Sequence, residues 1–187
     1  FSHLRYKDNQ YIATSRYCCH GIYVSFDGVN WVGHPQSESM KMYDLDIFKD
    51  QFVATTNQGD LFVSDTGSTW KWSDWFVTDT SRQYIQAYSD QVALWSQADG
   101  QGILLKEDFF NVPIFASTLL STRDLVFADT YWVSAGVAGL SQYSQNFIDW
   151  KDLETGLEEE IIDLAVGNSR VVGITSNGQV ITLDLKP

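Results

Sequence analysis

Arg16-Tyr17-Cys18-Cys19-His20 concentrates more reactive side chains than any other stretch of the chain. Arg16 could pair with a carboxylate, Tyr17 could stack on a flat ligand, and His20 could donate or accept beside them. A metal reading needs deprotonated thiols plus further ligands at defined spacing. Only one cysteine pair, Cys18 and Cys19, and one nearby histidine stand here. We therefore expect no metal and no cofactor. The plainer reading of the loop is two small buried thiols and a surface histidine. Neighbouring cysteines bridge only under strain, so they say nothing about redox compartment.

The second candidate is Trp72-Ser73-Asp74-Trp75-Phe76. Exposed tryptophans make platforms for sugar rings and protein partners. Trp75 is the expected exposed member, whereas Trp72 and Phe76 read as strand residues packing on the next sheet. Arginines stand at Arg5, Arg16, Arg82, Arg123 and Arg170. The expected ligand-binding set is Arg16, Tyr17, His20, Trp75, Arg82 and Arg123. Glu158-Glu159-Glu160 reads as a solvated charge run. Nucleotide-binding, zinc-protease and serine-hydrolase signatures are absent from the sequence, and no enzyme is expected.

Composition narrows the partners. The 187 residues carry a formal charge of −12 and a pI near 4.4. Nucleic acid needs clustered Lys and Arg, and anionic membrane surfaces favour basic proteins, so neither is expected. No apolar run approaches the roughly 20 residues that span a bilayer. The chain starts at Phe1, which suggests processing or excision, and we expect it to be part of a larger chain.

The elements that must position these side chains recur along the chain. Tyr11-Ile12-Ala13-Thr14, Phe52-Val53-Ala54-Thr55, Val92-Ala93-Leu94-Trp95, Trp132-Val133-Ser134-Ala135 and Val171-Val172-Gly173-Ile174 follow one another at steps of 41, 40, 40 and 39 residues. Each is apolar on both faces, as a doubly buried strand requires. Before each stands a polar hairpin turn and another strand-like run; after each come a Gly-containing turn, a third strand, and in four units a short fourth strand. Four-stranded units at this period stack as a β-propeller. The expected fold is all-β, a single domain over 1–187 of five blades of four antiparallel strands. The blades cover about 1–40, 41–80, 81–119, 120–158 and 159–187, the last incomplete or closed by a strand from the other chain end. Residues 151–160 could make one helical turn but read better as an acidic loop.

Between the third and fourth strands lie polar corners. The reference corner is Asp65-x-Gly67-x-Thr69-Trp70, and Asp27, Gly28 and Trp31 form another. Asp108 marks a third, with Phe109 for the glycine and Val112 for the tryptophan. Asn146 and Trp150 mark a fourth, with Asn for Asp. A short acidic or amide side chain can accept bonds from the following N–H groups, glycine supplies a positive φ, and tryptophan fills space against the next strand. The third and fourth corners should be looser, or held by other contacts.

Ser25-x-Asp27-Gly28-x-x-Trp31 and Asp65-x-Gly67-x-Thr69-Trp70 resemble the Asp-box, or BNR repeat. The surrounding unit is similar to propeller repeats of photosystem II assembly factors, sialidases, sortilin-type receptors and phage tail or fibre proteins. The resemblance implies that the corners lie away from the ligand face, and it implies a fold, not an activity. A sialidase would need three converging arginines, a Tyr nucleophile with a Glu, and an Asp acid. It would also resemble a six-bladed ring with an Arg-Ile-Pro tripeptide, which is absent from the sequence. The expected function is a non-enzymatic recognition or structural module at a virion or extracellular surface: a phage tail fibre, spike or capsid-surface propeller binding a surface glycan or protein receptor, assembled in a larger oligomer. The alternative is a cellular complex-assembly factor in an organelle lumen or the cytoplasm.

Overall fold

A computed structural model describes residues 1–16, 21–35, 41–72, 84–96, 100–106, 114–116, 122–167 and 170–183. Nineteen strands make five antiparallel sheets among them. The first sheet holds β1 (Leu4–Lys7), β2 (Gln10–Thr14), β3 (Ile22–Ser25) and β4 (Val32–Gly33). The second holds β5 (Met42–Phe48), β6 (Gln51–Thr56), β7 (Leu61–Ser64) and β8 (Lys71–Trp72). The third holds β9 (Tyr84–Tyr88), β10 (Gln91–Trp95), β11 (Gly102–Lys106) and β12 (Ile114–Ala116). The fourth holds β13 (Thr122–Ala128), β14 (Tyr131–Gly136), β15 (Ser141–Ser144) and β16 (Lys151–Asp152). The fifth has three described strands, β17 (Ile161–Gly167), β18 (Arg170–Thr175) and β19 (Val180–Leu183). In every sheet the strands lie side by side in sequence order.

The repeat read from the sequence is thus the sheet itself. Tight polar turns set its register. Asp8 and Asn9 take φ of 52° and 60°, as do Lys49 and Asp50 at 44° and 63°. Two left-handed residues twist the hairpin in the same sense as its strands, and short polar side chains tolerate that conformation best. Tyr6 then faces Tyr11, and Phe48 faces Gln51. After β16 the chain runs to Glu160 without regular structure, so the acidic loop is found and the helical turn is not.

The chain divides into two compact units, Phe1–Trp95 with Leu105–Val112, and Ser96–Leu104 with Pro113–Pro187. In the first unit Leu45, Phe52 and Ala54 pack with Ile12, Ile22 and Trp70. In the second, Ile161 and Leu164 pack with Val133 and Ala135. Each cluster joins the second strand of one sheet to the inner strand of the next, which is why apolar residues such as Ala54 and Val133 on those second strands are fully buried. Trp72 departs from expectation. It belongs to β8, but it is exposed and lies 4.8 Å from Phe62, its partner across the same sheet. Phe76 lies outside the described residues.

Candidate functional site

The polar corners sit on the hairpins between third and fourth strands. In the first, Ser25 Oγ accepts the Gly28 N–H at 2.9 Å, and Asp27 Oδ1 accepts those of Val29 and Asn30 at 2.9 and 2.7 Å. The Asn30 amide donates to Asp27 Oδ2 at 2.7 Å, and Trp31 Nε1 to Gly28 O at 3.2 Å. The Asn30 N–H, then its side chain, then the Val29 N–H hold the Asp27 carboxyl well below the ordinary carboxylate range.

The fourth corner is not looser. Asn146 Oδ1 accepts the N–H groups of Ile148 and Asp149, both at 2.9 Å, and Trp150 Nε1 reaches Phe147 O at 3.1 Å. An amide oxygen accepts as a carboxylate oxygen does, and the Asn146 amide adds a bond to Asp149 Oδ2 at 2.8 Å. Phe147 holds the glycine place at φ 67° with its ring fully buried against Trp132, so burial offsets the backbone cost.

The second corner also departs from the reading. Asp65 stands one residue ahead of the place held by Asp27 and Asn146. Thr66 occupies that place, and its hydroxyl accepts from Ser68 N at 3.3 Å. The Asp65 carboxylate takes the Gln51 amide at 2.6 Å instead. Ser64 carries the turn, accepting the Gly67 N–H at 2.8 Å and donating to Thr69 O at 2.6 Å. Ser25, Ser64 and Ser144 are all buried three residues before the glycine place. That serine spacing is legible in the sequence and marks all three corners. Asp108, Phe109 and Val112 of the third corner lie outside the described residues.

A second set of carboxylates joins consecutive inner strands. In the first unit Asp44 accepts Leu45 N at 2.7 Å and, with its other oxygen, Ile85 N at 3.0 Å. His3 Nδ1 lies 2.9 Å from Asp44 Oδ1. Asp46 binds Arg5 Nε at 2.7 Å and Ala87 N at 2.6 Å. In the second unit Asp124 accepts Leu125 N at 2.8 Å and Leu164 N at 2.6 Å.

Burial pushes the Asp124 carboxyl up to about 7, the neighbouring Asp163 adding to the rise, although the Leu164 N–H opposes it. The unfolded chain ionises this group near 3.9. The stabilisation is therefore complete below about pH 3.9 and is lost as pH rises through 7. Asp124→Asn cannot ionise. Between pH 5 and pH 8 the wild type should lose ground to this variant by at least about 1.4 kcal/mol, the worth of one pKa unit. Urea melts at the two pH values measure this, and a constant gap would remove Asp124 as the cause.

Among the expected ligand residues, Arg16 has a built environment. It follows β2, half-buried, with its guanidinium carbon 3.8 Å from the Tyr43 ring centre and 5.6 Å from that of Tyr84. Its Nε donates to Tyr43 O at 3.3 Å. The Tyr43 and Tyr84 rings meet edge-on at 5.5 Å, and Tyr84 stacks on buried Trp95 at 5.4 Å. Burial raises the Tyr84 phenol and the Arg16 charge opposes that rise. Tyr43, at the start of β5, and Tyr84, at the start of β9, are not among the expected ligand residues. Their pairing depends on neighbouring sheets, which no local pattern encodes.

Arg123, in the second unit, pairs with Glu160. Glu160 is thus engaged rather than a freely solvated member of the acidic run, and Glu159 accepts from Asn177 at 3.5 Å. Tyr17, His20, Trp75 and Arg82 lie outside the described residues, as do Cys18 and Cys19. No helix among the described residues is long and apolar enough to cross a membrane. Beside the first corner a groove of about 500 Å³ is lined by Val24, Phe26, Val32, His34 and Pro35.

No protein family and no curated protein matches the sequence. Solved structures do match the fold. YCF48 from Cyanidioschyzon merolae superposes with a TM-score of 0.69 at 13% identity, over 94% of this chain and 66% of that one, and YCF48 also matches in a form bound to D1 peptide. BamB from Moraxella catarrhalis gives 0.69 at 15% identity, over 98% and 57%. Virginiamycin B lyase from Staphylococcus aureus gives 0.70 at 11% identity, over 98% and 69%. The chain has a β-propeller fold. Its five sheets are blades, and it spans 57% of the length of BamB and 66% of that of YCF48. The Arg16 cluster then sits where loops of the first blade meet the starts of inner strands in the second and third.

Proposed function

We propose that this propeller is a non-catalytic recognition module that binds a protein partner, with Arg16 as its anchor. The observation that carries the reading is half-buried Arg16, its guanidinium carbon 3.8 Å from the Tyr43 ring centre and 5.6 Å from that of Tyr84. A guanidinium held beside two aromatic rings keeps its charge and its fork of N–H donors, a geometry suited to a carboxylate. In a chain of net charge −12, such a cation is a selective point for an acidic side chain or a chain terminus. YCF48, of similar fold, was solved with a D1 peptide bound, and BBS1N was solved in complex with ARL6. We further assign the corners to the Asp-box type, on the serine, acceptor and tryptophan bonds they share. The setting proposed with this function, a virion or other extracellular surface, rests on the repeat type alone.

Panning a random peptide library on the immobilised chain tests the proposal. Binders should be enriched in Asp, Glu or a free C-terminus, and Arg16→Ala should weaken them about tenfold or more. Binders indifferent to Arg16→Ala would overturn it. Retention only on a glycan array would replace the partner class. Turnover of a fluorogenic sialoside abolished by Arg16→Ala would replace recognition by catalysis.

A further inference from the structure

The outer edge of the first sheet departs from the matching edges of the second and fourth at two positions. Val24 faces Val32 across β3 and β4, as Val63 faces Lys71 and Tyr143 faces Lys151. The second and fourth sheets thus carry an exposed lysine where the first carries Val32, which is 70% exposed. After the buried serine of each corner stands Asp65 in the second sheet and Gln145 in the fourth. The first has Phe26 there, 74% exposed. Lysine on an edge strand holds off further pairing, because an added strand would strip water from its charge. The first edge has no such guard.

That edge also offers backbone groups. β4 is the last strand of its sheet. His34 N donates to Ile22 O at 2.8 Å, and bonds alternate along an antiparallel ladder, so the N–H and C=O of Gly33 turn away from β3. Val32 and Gly33 line the groove beside the first corner. Val24, packed on the core cluster, and exposed Phe26 and Val32 make it apolar. His34 Nε2, donating to Ser68 O at 2.9 Å, ties it to the second corner. All of these residues belong to the first unit.

Among the described residues Asp27 is the one charged side chain that lines the groove. The corner keeps its carboxylate ionised. Oδ1 accepts the Val29 and Asn30 N–H groups, whereas Oδ2 takes the Asn30 amide and has room for a further donor. A second copy of a chain of net charge −12 would bring like charge to this place, not a counterion. A basic partner fits it.

We propose that an extended segment of a basic partner protein adds to the edge of β4. It pairs with the Gly33 N–H and C=O and seats an apolar side chain against Phe26 and Val32. Two residues along, on the same face of the added strand, its Lys or Arg meets Asp27. This site is separate from the Arg16 cluster and does not rest on the recognition reading made there.

An array of random heptapeptides with both ends capped, probed with the labelled chain, tests it. Retained peptides should include a class with Lys or Arg two residues from Val, Ile, Leu or Phe. Val32→Lys gives β4 the residue that the other two edges carry, and it should weaken this class about tenfold or more. Val32 is exposed, so melting of the variant should not change. Asp27→Asn removes the charge but keeps the corner, as Asn146 does, and should abolish the preference for a basic residue. N-methylation of alternate peptide nitrogens should weaken binding to the wild type, since one such set faces Gly33. Acidic peptides on the same array report on Arg16, so either reading can fail alone. An array without a basic class overturns the proposal. Basic peptides held equally by Val32→Lys, or a basic preference that survives Asp27→Asn, overturn it too. Self-association of the chain that is lost in Val32→Lys would give the edge to a second copy instead.

Discussion

Trp70→Ala should cost about 3–5 kcal/mol and lower the melting temperature by roughly ten degrees. Trp70 is 7% exposed, shares a cluster with Ile12, Leu45 and Phe52, and donates from Nε1 to Gly67 O at 3.0 Å. Truncation opens a void that rigid strands on both sides cannot collapse into, and it orphans a buried carbonyl. Trp31 makes the same bond, at 3.2 Å to Gly28 O, but it is half-exposed against Phe1 and Tyr11. Trp31→Ala should cost less than half as much. Thermal melts of both variants compare them directly. Equal losses would contradict the view that the second corner is the one locked into the core.

Gly139→Ala should be nearly as damaging, at about 3 kcal/mol. Gly139 takes φ 68°, where any Cβ is strained, and a Cβ there would run into the Leu157 carbonyl oxygen. That obstacle is backbone, so no side chain can swing aside. Gly28 is the control. It has φ 75°, but the nearest atom to a new Cβ is Tyr11 Cε2 at 3.6 Å. Gly28→Ala should pay only the left-handed penalty of about 1 kcal/mol. Denaturant titration of the two alanine variants separates steric exclusion from backbone conformation; the same loss in both would mean the loop after β16 yields where the geometry says it cannot.

Strand positions, hairpin turns and the order within each sheet were legible because they are local. A two-residue turn such as Asp8-Asn9 sets its own register, and a doubly apolar run such as Phe52-Val53-Ala54 has only one way to be buried. The corners were legible in outline for the same reason. The reading went astray at Asp65, because a sequence shows which residue is acidic but not which one faces the turn. At Asn146 the looser corner is not found and the alternative is: the amide keeps the two N–H bonds and adds one to Asp149.

What the sequence determined by itself was the repeat and hence the blade, since periodicity and turn chemistry act over a few residues. What only the tertiary structure decided was which side chains meet across blades. Arg16 finds Tyr43 and Tyr84 from separate repeats, and Asp124 is held near the N–H of Leu164, 40 residues on. Such contacts depend on how one sheet stacks on the next. Stacking is driven by non-directional burial of apolar area, which leaves no mark on the polar residues it brings together.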